Sequence, residues 1–290
     1  MQGYYRQPTI FNNQLVFVSE DDLWKVEADN LKALRLTVNN SAVSSPMFSP
    51  DGKYLSYIGT EDGGTEIFIM PSNGGPSRRL TYDGALISKI ALWKNDTIYY
   101  TSTLESTTGR VLDLRTINYK GGYSTSLQYG TCTNISISEH GTVLGKNTAD
   151  PAKWKRYKGG TAGNLLIDLN NKSIFKKLLN IKGNIACPMW IEKRIYFISD
   201  HEGIGNIYSC NKLGQNITKH THHKNYYARN ATTDGRYISY HAGADIFIFS
   251  SSNNSIKKIN IDYASSKIQT SRKYVNVNKY LEGSNLNNKN

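Results

Sequence analysis

Apolar and polar positions alternate along this chain in a unit that recurs about six times at a spacing of roughly 40 residues, the period of a β-propeller blade. The clearest copy begins Ser45-Pro46-Met47-Phe48-Ser49-Pro50-Asp51-Gly52-Lys53-Tyr54-Leu55-Ser56-Tyr57. It continues through a polar turn at Asp62-Gly63-Gly64, the run Glu66-Ile67-Phe68-Ile69-Met70, a turn at Asn73-Gly74-Gly75 and the outer segment Arg78-Arg79-Leu80-Thr81. This pattern predicts four short strands joined by three hairpin turns, each strand with one buried and one exposed face.

The first turn of the unit returns in altered form as Asn12-Asn13, Asp51-Gly52, Asn95-Asp96, His140-Gly141, Glu192-Lys193 and Asp234-Gly235. Asp-Gly at such a position predicts a type I′ turn, whose central residues both need positive φ. Third strands are predicted at 23–26, 67–70, 114–117, 165–168, 207–210 and 246–249, and basic outer strands at 32–37 and 256–259. The expected fold is therefore all-β: a six-bladed β-propeller of four-stranded antiparallel blades with TolB/WD40-like repeats. Its blades fall at about 3–40, 41–84, 85–130, 131–184, 185–225 and 226–268, within one domain spanning 1–268. Radial stacking of this kind hides strand edges and leaves a central channel. A β-sandwich is the competing all-β reading, but a sandwich does not require a fixed repeat spacing. Residues 269–290 read as a polar, disordered extension.

Composition refines the surface rather than the fold. Twenty tyrosines against eight phenylalanines suit sheets whose rings pack while their hydroxyls stay wet. Lys and Arg outnumber Asp and Glu by 35 to 23, a formal charge of +12. The excess is spread over outer strands and the tail, without a basic helix or a nucleic-acid module, so no specific nucleic-acid partner is expected. Attraction of acidic peptide ends is the more specific use for such a charge. The start Met1-Gln2-Gly3-Tyr4-Tyr5-Arg6 lacks the apolar core of a signal peptide, and no run reaches the roughly 18 apolar residues of a membrane span. The expected setting is the cytoplasm, with no membrane partner.

Cys132, Cys187 and Cys210 cannot all pair and lack metal-site spacing, so they read as reduced, packed thiols. His220, His222 and His223 offer a weak metal pattern, since adjacent residues of a strand point to opposite faces. No metal and no cofactor are expected.

Longer strings carry a more specific signal. They are Val16-Phe17-Val18-Ser19-Glu20-Asp21-Asp22-Leu23-Trp24, Trp154-Lys155-Arg156-Tyr157-Lys158-Gly159-Gly160-Thr161-Ala162-Gly163, Ser199-Asp200-His201-Glu202-Gly203-Ile204-Gly205-Asn206-Ile207-Tyr208-Ser209-Cys210 and Asn225-Tyr226-Tyr227-Ala228-Arg229-Asn230-Ala231-Thr232-Thr233-Asp234-Gly235-Arg236, with Lys279-Tyr280-Leu281-Glu282 near the end. Through them the chain resembles the tricorn-type serine peptidases, in particular the bacterial tricorn homologues. The resemblance implies an N-terminal six-bladed propeller, which in that family precedes a second propeller, a PDZ domain and the domains that bear the peptidase site. Those later parts are not found here, so the expectation is a truncated chain or one piece of a split protein.

The resemblance also implies a passage for peptides, with basic side chains that hold a free carboxylate end. A guanidinium fork can select a chain end in this way because it binds a carboxylate through two parallel hydrogen bonds. The start of the third repeat, where an arginine pair would be sought, reads Ala85-Leu86-Ile87-Ser88-Lys89-Ile90 and offers only Lys89. Candidate peptide or channel contacts are Lys89, Arg110, Lys155, Arg156, His201 and Arg229, with Arg115 as a further basic position. No catalytic residue is expected, since no Gly-x-Ser-x-Gly elbow occurs and His201 falls at a turn between the second and third strands. The 154–163 segment lengthens the fourth repeat. It reads either as a docking or channel-rim loop or as an aromatic anchor that merely joins two strands.

The expected function is a noncatalytic propeller module of a tricorn-type peptidase that gates or guides peptides. Its partners would be peptides and the remaining tricorn domains or subunits. The competing readings are a stand-alone TolB-like interaction scaffold and a decayed gene fragment.

Overall fold

The computed structural model describes residues 3–284 apart from 28, 29, 39, 40, 62, 110, 267–271 and 273. The chain folds into antiparallel sheets that follow one another along the sequence. The first sheet contains β1 (Arg6–Phe11), β2 (Gln14–Ser19), β3 (Asp22–Glu27) and β4 (Asn30–Arg35). The second contains β5 (Ser44–Phe48), β6 (Tyr54–Gly59), β7 (Glu66–Pro71) and β8 (Arg78–Arg79). A seven-stranded sheet follows, with β9 (Ile87–Lys94), β10 (Thr97–Ser102), β11 (Asp113–Asn118), β12 (Thr125–Ser138), β13 (Gly141–Lys146), β14 (Asn164–Asp168) and β15 (Lys176–Lys177). Two more four-stranded sheets complete the series: β16 (Ile185–Ile191) to β17 (Arg194–Ser199), β18 (Asn206–Cys210) and β19 (Thr218–Lys219), then β20 (Ala228–Thr233) to β21 (Tyr237–Ala242), β22 (Asp245–Ser250) and β23 (Ile256–Lys258). The single described helical element is a 3₁₀ turn, Val277–Tyr280, inside the segment expected to be disordered.

Two features depart from the sequence pattern. The position expected as a break between the third and fourth repeats, 130–131, lies inside the 14-residue strand β12. Its first half pairs with β11 through Arg115↔Ser126 and its second half with β13 through Ser136↔Val143. Gln128, at φ 56°, and Gly130, at φ 72°, bend the backbone between the two halves, so one strand serves two sheets without a loop. Second, strands such as β2, β6 and β18 are buried at nearly every position rather than on one face. Each sheet is covered on both sides by its neighbours, and apolar side chains are therefore favoured on both faces.

The turns also differ from expectation. Asn12, Asn95 and Glu192 have φ of 51°, 51° and 49° at the first central position of their two-residue loops, while the second residue does not share the positive φ. The I′ turn expected at Asp-Gly is not formed either, since at Asp51-Gly52 and Asp234-Gly235 only the glycine has positive φ, 73° and 94°. Gly52, at φ 73°, is glycine for a further reason: a Cβ there would clash with the Phe11 ring of the first sheet.

Packing follows the order of the sheets. Val18, Tyr57 and Phe68 belong to the cluster between the first and second sheets, and Ile69, Ile90 and Tyr100 to the next. Leu114 and Leu144 fill the two halves of the long sheet. Phe197 and Leu165 meet beyond it, and Ile198 packs with Phe249 and Tyr240. The series returns on itself, since Phe17 and Trp24 of the first sheet share a cluster with Ile246 and Ile259 of the last. Beyond β23 the chain runs back beside β4. Ala33 N–H donates to Asp262 O at 2.8 Å, and Asp262 N–H donates to Leu31 O at 2.9 Å. Tyr263, 4% exposed, then packs edge-on to Tyr5 and against Trp24.

A polar clasp recurs within the sheets. A polar residue opens the third strand, and a threonine beyond the fourth bridges it to the backbone. Thr37 Oγ1 donates to Asp22 at 2.7 Å and accepts from Leu23 N–H at 2.9 Å. Thr81 does the same with Glu66 at 2.5 Å and Ile67 N–H at 2.8 Å, and Thr221 with Asn206 and Ile207 at 2.8 and 2.9 Å. Arg35 and Arg79 add ion pairs to Asp22 and Glu66. Burial alone would raise the Glu66 carboxyl, but donors from Thr81, Gly84, Asp83 and Arg79 hold it below the usual range. A polar group sealed beside apolar packing must be hydrogen-bonded, and the threonine satisfies two such groups at once.

Replacing Thr81 by Val, which keeps the shape and deletes the hydroxyl, is expected to cost about 1–3 kcal/mol because it strands the Ile67 N–H and takes one donor from the buried Glu66 carboxylate. Tyr263→Ala, which opens the contact between the two ends of the chain, should cost about 3–5 kcal/mol. Urea unfolding of the purified variants measures both losses.

Candidate functional site

Strands β1, β5, β9, β12, β16 and β20 each contribute residues to one central cavity of about 360 Å³, among them Gln7, Pro46, Lys89, Thr133, Cys187 and Asn230. They are the first strands of their sheet segments, with β12 serving as the first strand of the second half of the long sheet. Four of them carry the same irregularity at the cavity: the pairing register slips where Gln7, Ser45, Cys187 and Asn230 adopt φ of 47–52°. An extra residue at such a bulge re-aims its neighbours. Neighbouring inner strands are joined by side chains rather than by a ladder. Ser45 N–H donates to Gln7 Oε1 at 2.9 Å, and Ile90 N–H donates to Ser45 Oγ at 2.9 Å. Trp190 N–H donates to Ser136 Oγ, and Thr232 Oγ1 donates to Pro8 O, each at 2.9 Å.

The cavity is electropositive. Arg6, Lys89, Lys153 and Arg229 line it, and among the described lining residues Asp150 is the sole carboxylate. Arg229 donates from Nε and Nη2 to Asp150 Oδ2, at 2.7 and 2.6 Å. Lys89 Nζ lies 3.8 Å from Cys187 Sγ across 98 residues of chain. Arg6 faces Asp21 at 3.7 Å. His241, 1% exposed, accepts the Gln7 N–H at Nδ1 (3.3 Å), and its Nε2 has no hydrogen-bonding partner. Burial, reinforced by Arg229 and Arg6 and opposed by Asp150, takes its pKa down to about 4.

Of the positions singled out from the sequence, Lys89 and Arg229 line this cavity, and Lys155, Arg156 and His201 do not. Arg110 lies outside the described residues. Arg115 is 3% exposed and bound by Glu105 at 3.1 Å, away from the cavity lining. Lys155 rests near the Tyr227 ring, and the Arg156 N–H donates to the buried Asp200 at 2.7 Å. His201 sits at the β17–β18 turn, bonded to Ser199 Oγ at 2.9 Å and packed on Tyr208, and burial lowers its pKa. The inserted loop is two-sided: Thr148, Ala149, Asp150, Pro151 and Lys153 line the cavity, whereas Trp154 is 66% exposed. Arg6 and His241 escaped the sequence reading. Each is the one basic side chain of its strand, and only the convergence of first and last sheets brings them to the cavity.

Ser–His contacts occur, but not as nucleophiles. Ser209 Oγ lies 2.6 Å from His220 Nε2, and Asn254 Oδ1 lies 3.1 Å from His220 Nδ1. Ser209 is 0% exposed, and its Oγ also accepts from Arg194 Nε at 2.7 Å. A substrate carbonyl has no access to it, and attack geometry is the first requirement of acyl transfer. Among the described residues no three His, Cys, Asp or Glu side chains gather in a way that could hold a metal ion. The cysteines are free and buried; burial raises the Cys132 thiol and pushes Cys210 up to about 12. No described helix is long and apolar enough to cross a membrane.

Comparison with known proteins bears on this geometry. Residues 2–255 match the sequence profile of the family described as "Tricorn protease N-terminal beta propeller domain". The tricorn protease homolog of Saccharolobus solfataricus is 32% identical over 97% of this chain and 27% of its own length. A crystal structure of the tricorn protease superposes with a TM-score of 0.85 at 27% identity, covering 92% of this chain and 27% of that one. In Sulfurisphaera tokodaii the similarity is divided between two proteins. A Tricorn-like protease N-terminal subunit is 31% identical over 58% of this chain and 87% of its own length, and a C-terminal subunit is 41% identical over 37% of this chain and 12% of its own. The chain spans about a quarter of the length of the full-length tricorn relatives it matches.

Because His241 is neutral when folded and takes up a proton near the ordinary histidine value of about 6.5 when unfolded, its contribution to stability is complete above pH 6.5 and fades as pH falls toward 4. The full loss amounts to about 3 kcal/mol. A His241→Gln variant, which cannot titrate, is expected to show a shallower fall between pH 6.5 and 4 in urea unfolding; an unchanged slope would remove His241 from the acid sensitivity.

Proposed function

The chain belongs to the family of tricorn protease N-terminal β-propeller domains, and on that premise we propose that it acts as a noncatalytic propeller module of a tricorn-type peptidase, guiding or gating peptides during proteolysis in the cytoplasm. In this reading the sheets form six blades, the third and fourth continuous through β12, and the central cavity belongs to the peptide passage. The observation that carries the proposal is the convergence of Arg6, Lys89, Lys153 and Arg229 on a cavity with one described carboxylate. A peptide ends in a carboxylate whatever its sequence, so cations of this kind can hold peptides without reading their side chains. Hydrolysis then falls to other tricorn domains or subunits, and a relative with separate N- and C-terminal subunits supports such a division between chains.

Two outcomes are expected of purified protein. It leaves fluorogenic peptides intact, and inhibitor-sensitive cleavage that co-purifies with the chain would contradict the noncatalytic assignment. Calorimetric titration with a short peptide should give binding that weakens by about 1.5–3 kcal/mol in Lys89→Met, the usual worth of a hydrogen bond to a charged group. Equal binding of the carboxylate and amide forms of that peptide would rule out anchoring through the chain end.

A further inference from the structure

We propose that Arg229 is a carboxylate-binding residue held in reserve by the protein's own Asp150, and that a ligand carboxylate entering the cavity displaces Asp150 and frees the inserted loop. The inference rests on the reading of the cavity as a peptide passage and names the residue and the movement involved.

Asp150 belongs to the connection between β13 and β14, residues 147–163, whereas Arg229 stands at the bulge of β20 in the last sheet. Their ion pair therefore ties a loop of one sheet to the inner strand of another, and both residues line the cavity. The pairing is incomplete on the acid side. Asp150 gives only Oδ2 to the guanidinium, because Oδ1 accepts the Ala152 N–H at 3.0 Å. A free carboxylate can offer both oxygens to the fork, the stronger arrangement for this pair of groups. The contact is reachable as well, with the side chains 33% and 14% exposed.

Around the pair, Arg6 and Lys89 share the cavity and give an incoming anion a favourable potential, while the buried His241 is neutral. The far end of the loop is fixed independently. Arg156 N–H donates to Asp200 at 2.7 Å, and Asn184 Nδ2 donates to Trp154 O at 2.6 Å. Loss of the Asp150 contact would thus loosen the cavity side of the loop about an anchored outer side. A ligand can shift such an equilibrium only through a difference in its affinity for the two arrangements, and here the difference is the guanidinium, available in one and occupied in the other.

The loop carries its own reporter, since Lys153, Lys155, Arg156 and Lys158 are exposed trypsin sites. Trypsin is applied to the folded full chain alone, with acetyl-trialanine bearing a free carboxylate, and with the same peptide as its amide, while calorimetry follows binding. Cleavage after Lys153, the site on the cavity side of the loop, should accelerate roughly five- to tenfold with the carboxylate, within the ordinary range of coupling between sites, and stay unchanged with the amide. Asp150→Asn should be cut at the fast rate without peptide, and Arg229→Met should be fast and indifferent to it. If the carboxylate peptide binds but cleavage does not change, the displacement is overturned and the passage remains. If no peptide binds, the ligand site and the passage fall together. Slow, wild-type cleavage in a folded Asp150→Asn protein would show that the ion pair holds nothing. The carboxylate-against-amide comparison needs no variant, so it decides the question even where a substitution unfolds the chain.

Discussion

The structure depends on how the inner edge of each sheet is satisfied. A first strand at the centre of a propeller has a ladder partner on one side alone, and its other N–H and C=O groups face the neighbouring inner strands and the cavity. Unpaired backbone groups there cost as much as lost hydrogen bonds. The chain answers with side chains from the neighbouring inner strand: Gln7 and Ser45 accept backbone N–H groups of β5 and β9, and Ser136 accepts one from β16. Each of these bonds crosses between sheets, so the same contacts that satisfy the edges also set the spacing of the sheets around the cavity.

The bulges belong to the same solution. At Gln7, Ser45, Cys187 and Asn230 the backbone takes a positive φ that non-glycine residues adopt at some cost. Three of the four sit beside a lining side chain used above: Arg6 precedes Gln7, Arg229 precedes Asn230, and Cys187 itself contacts Lys89. The slip in register is what lets residues of a regular strand converge on one space. The cavity and its positive charge are thus products of the irregular parts of otherwise ordinary strands.

The outer parts of the sheets are held differently, by the threonine clasps and the arginine pairs of the first two sheets. These bonds stay within one sheet and recur in three of the four-stranded sheets, which meet their neighbours through apolar clusters. That division fits an architecture in which every sheet contacts only those beside it. The two halves of the long sheet are joined differently, by the continuous strand β12.

How much of this was legible in the chain follows from the range of each interaction. The repeat, the turn positions, the third strands and the all-β character rest on neighbours a few residues apart, and alternation plus Asn and Gly record them directly. The same local signal does not show that the strand is continuous across 130–131, because Thr125–Ser138 runs through a bend that only pairing on both sides creates. It also could not separate Lys89 and Arg229 from Lys155, Arg156 and His201. All five are polar residues in strands or connections, and their grouping depends on which inner strands meet. Asp150 opposite Arg229 is a contact across 79 residues with no trace in either local pattern. The chain by itself determined the elements and their periodic order, since these are set by short-range geometry. Only the tertiary structure decided which charges face one cavity, because that depends on bulges and sheet spacing fixed by bonds between distant strands.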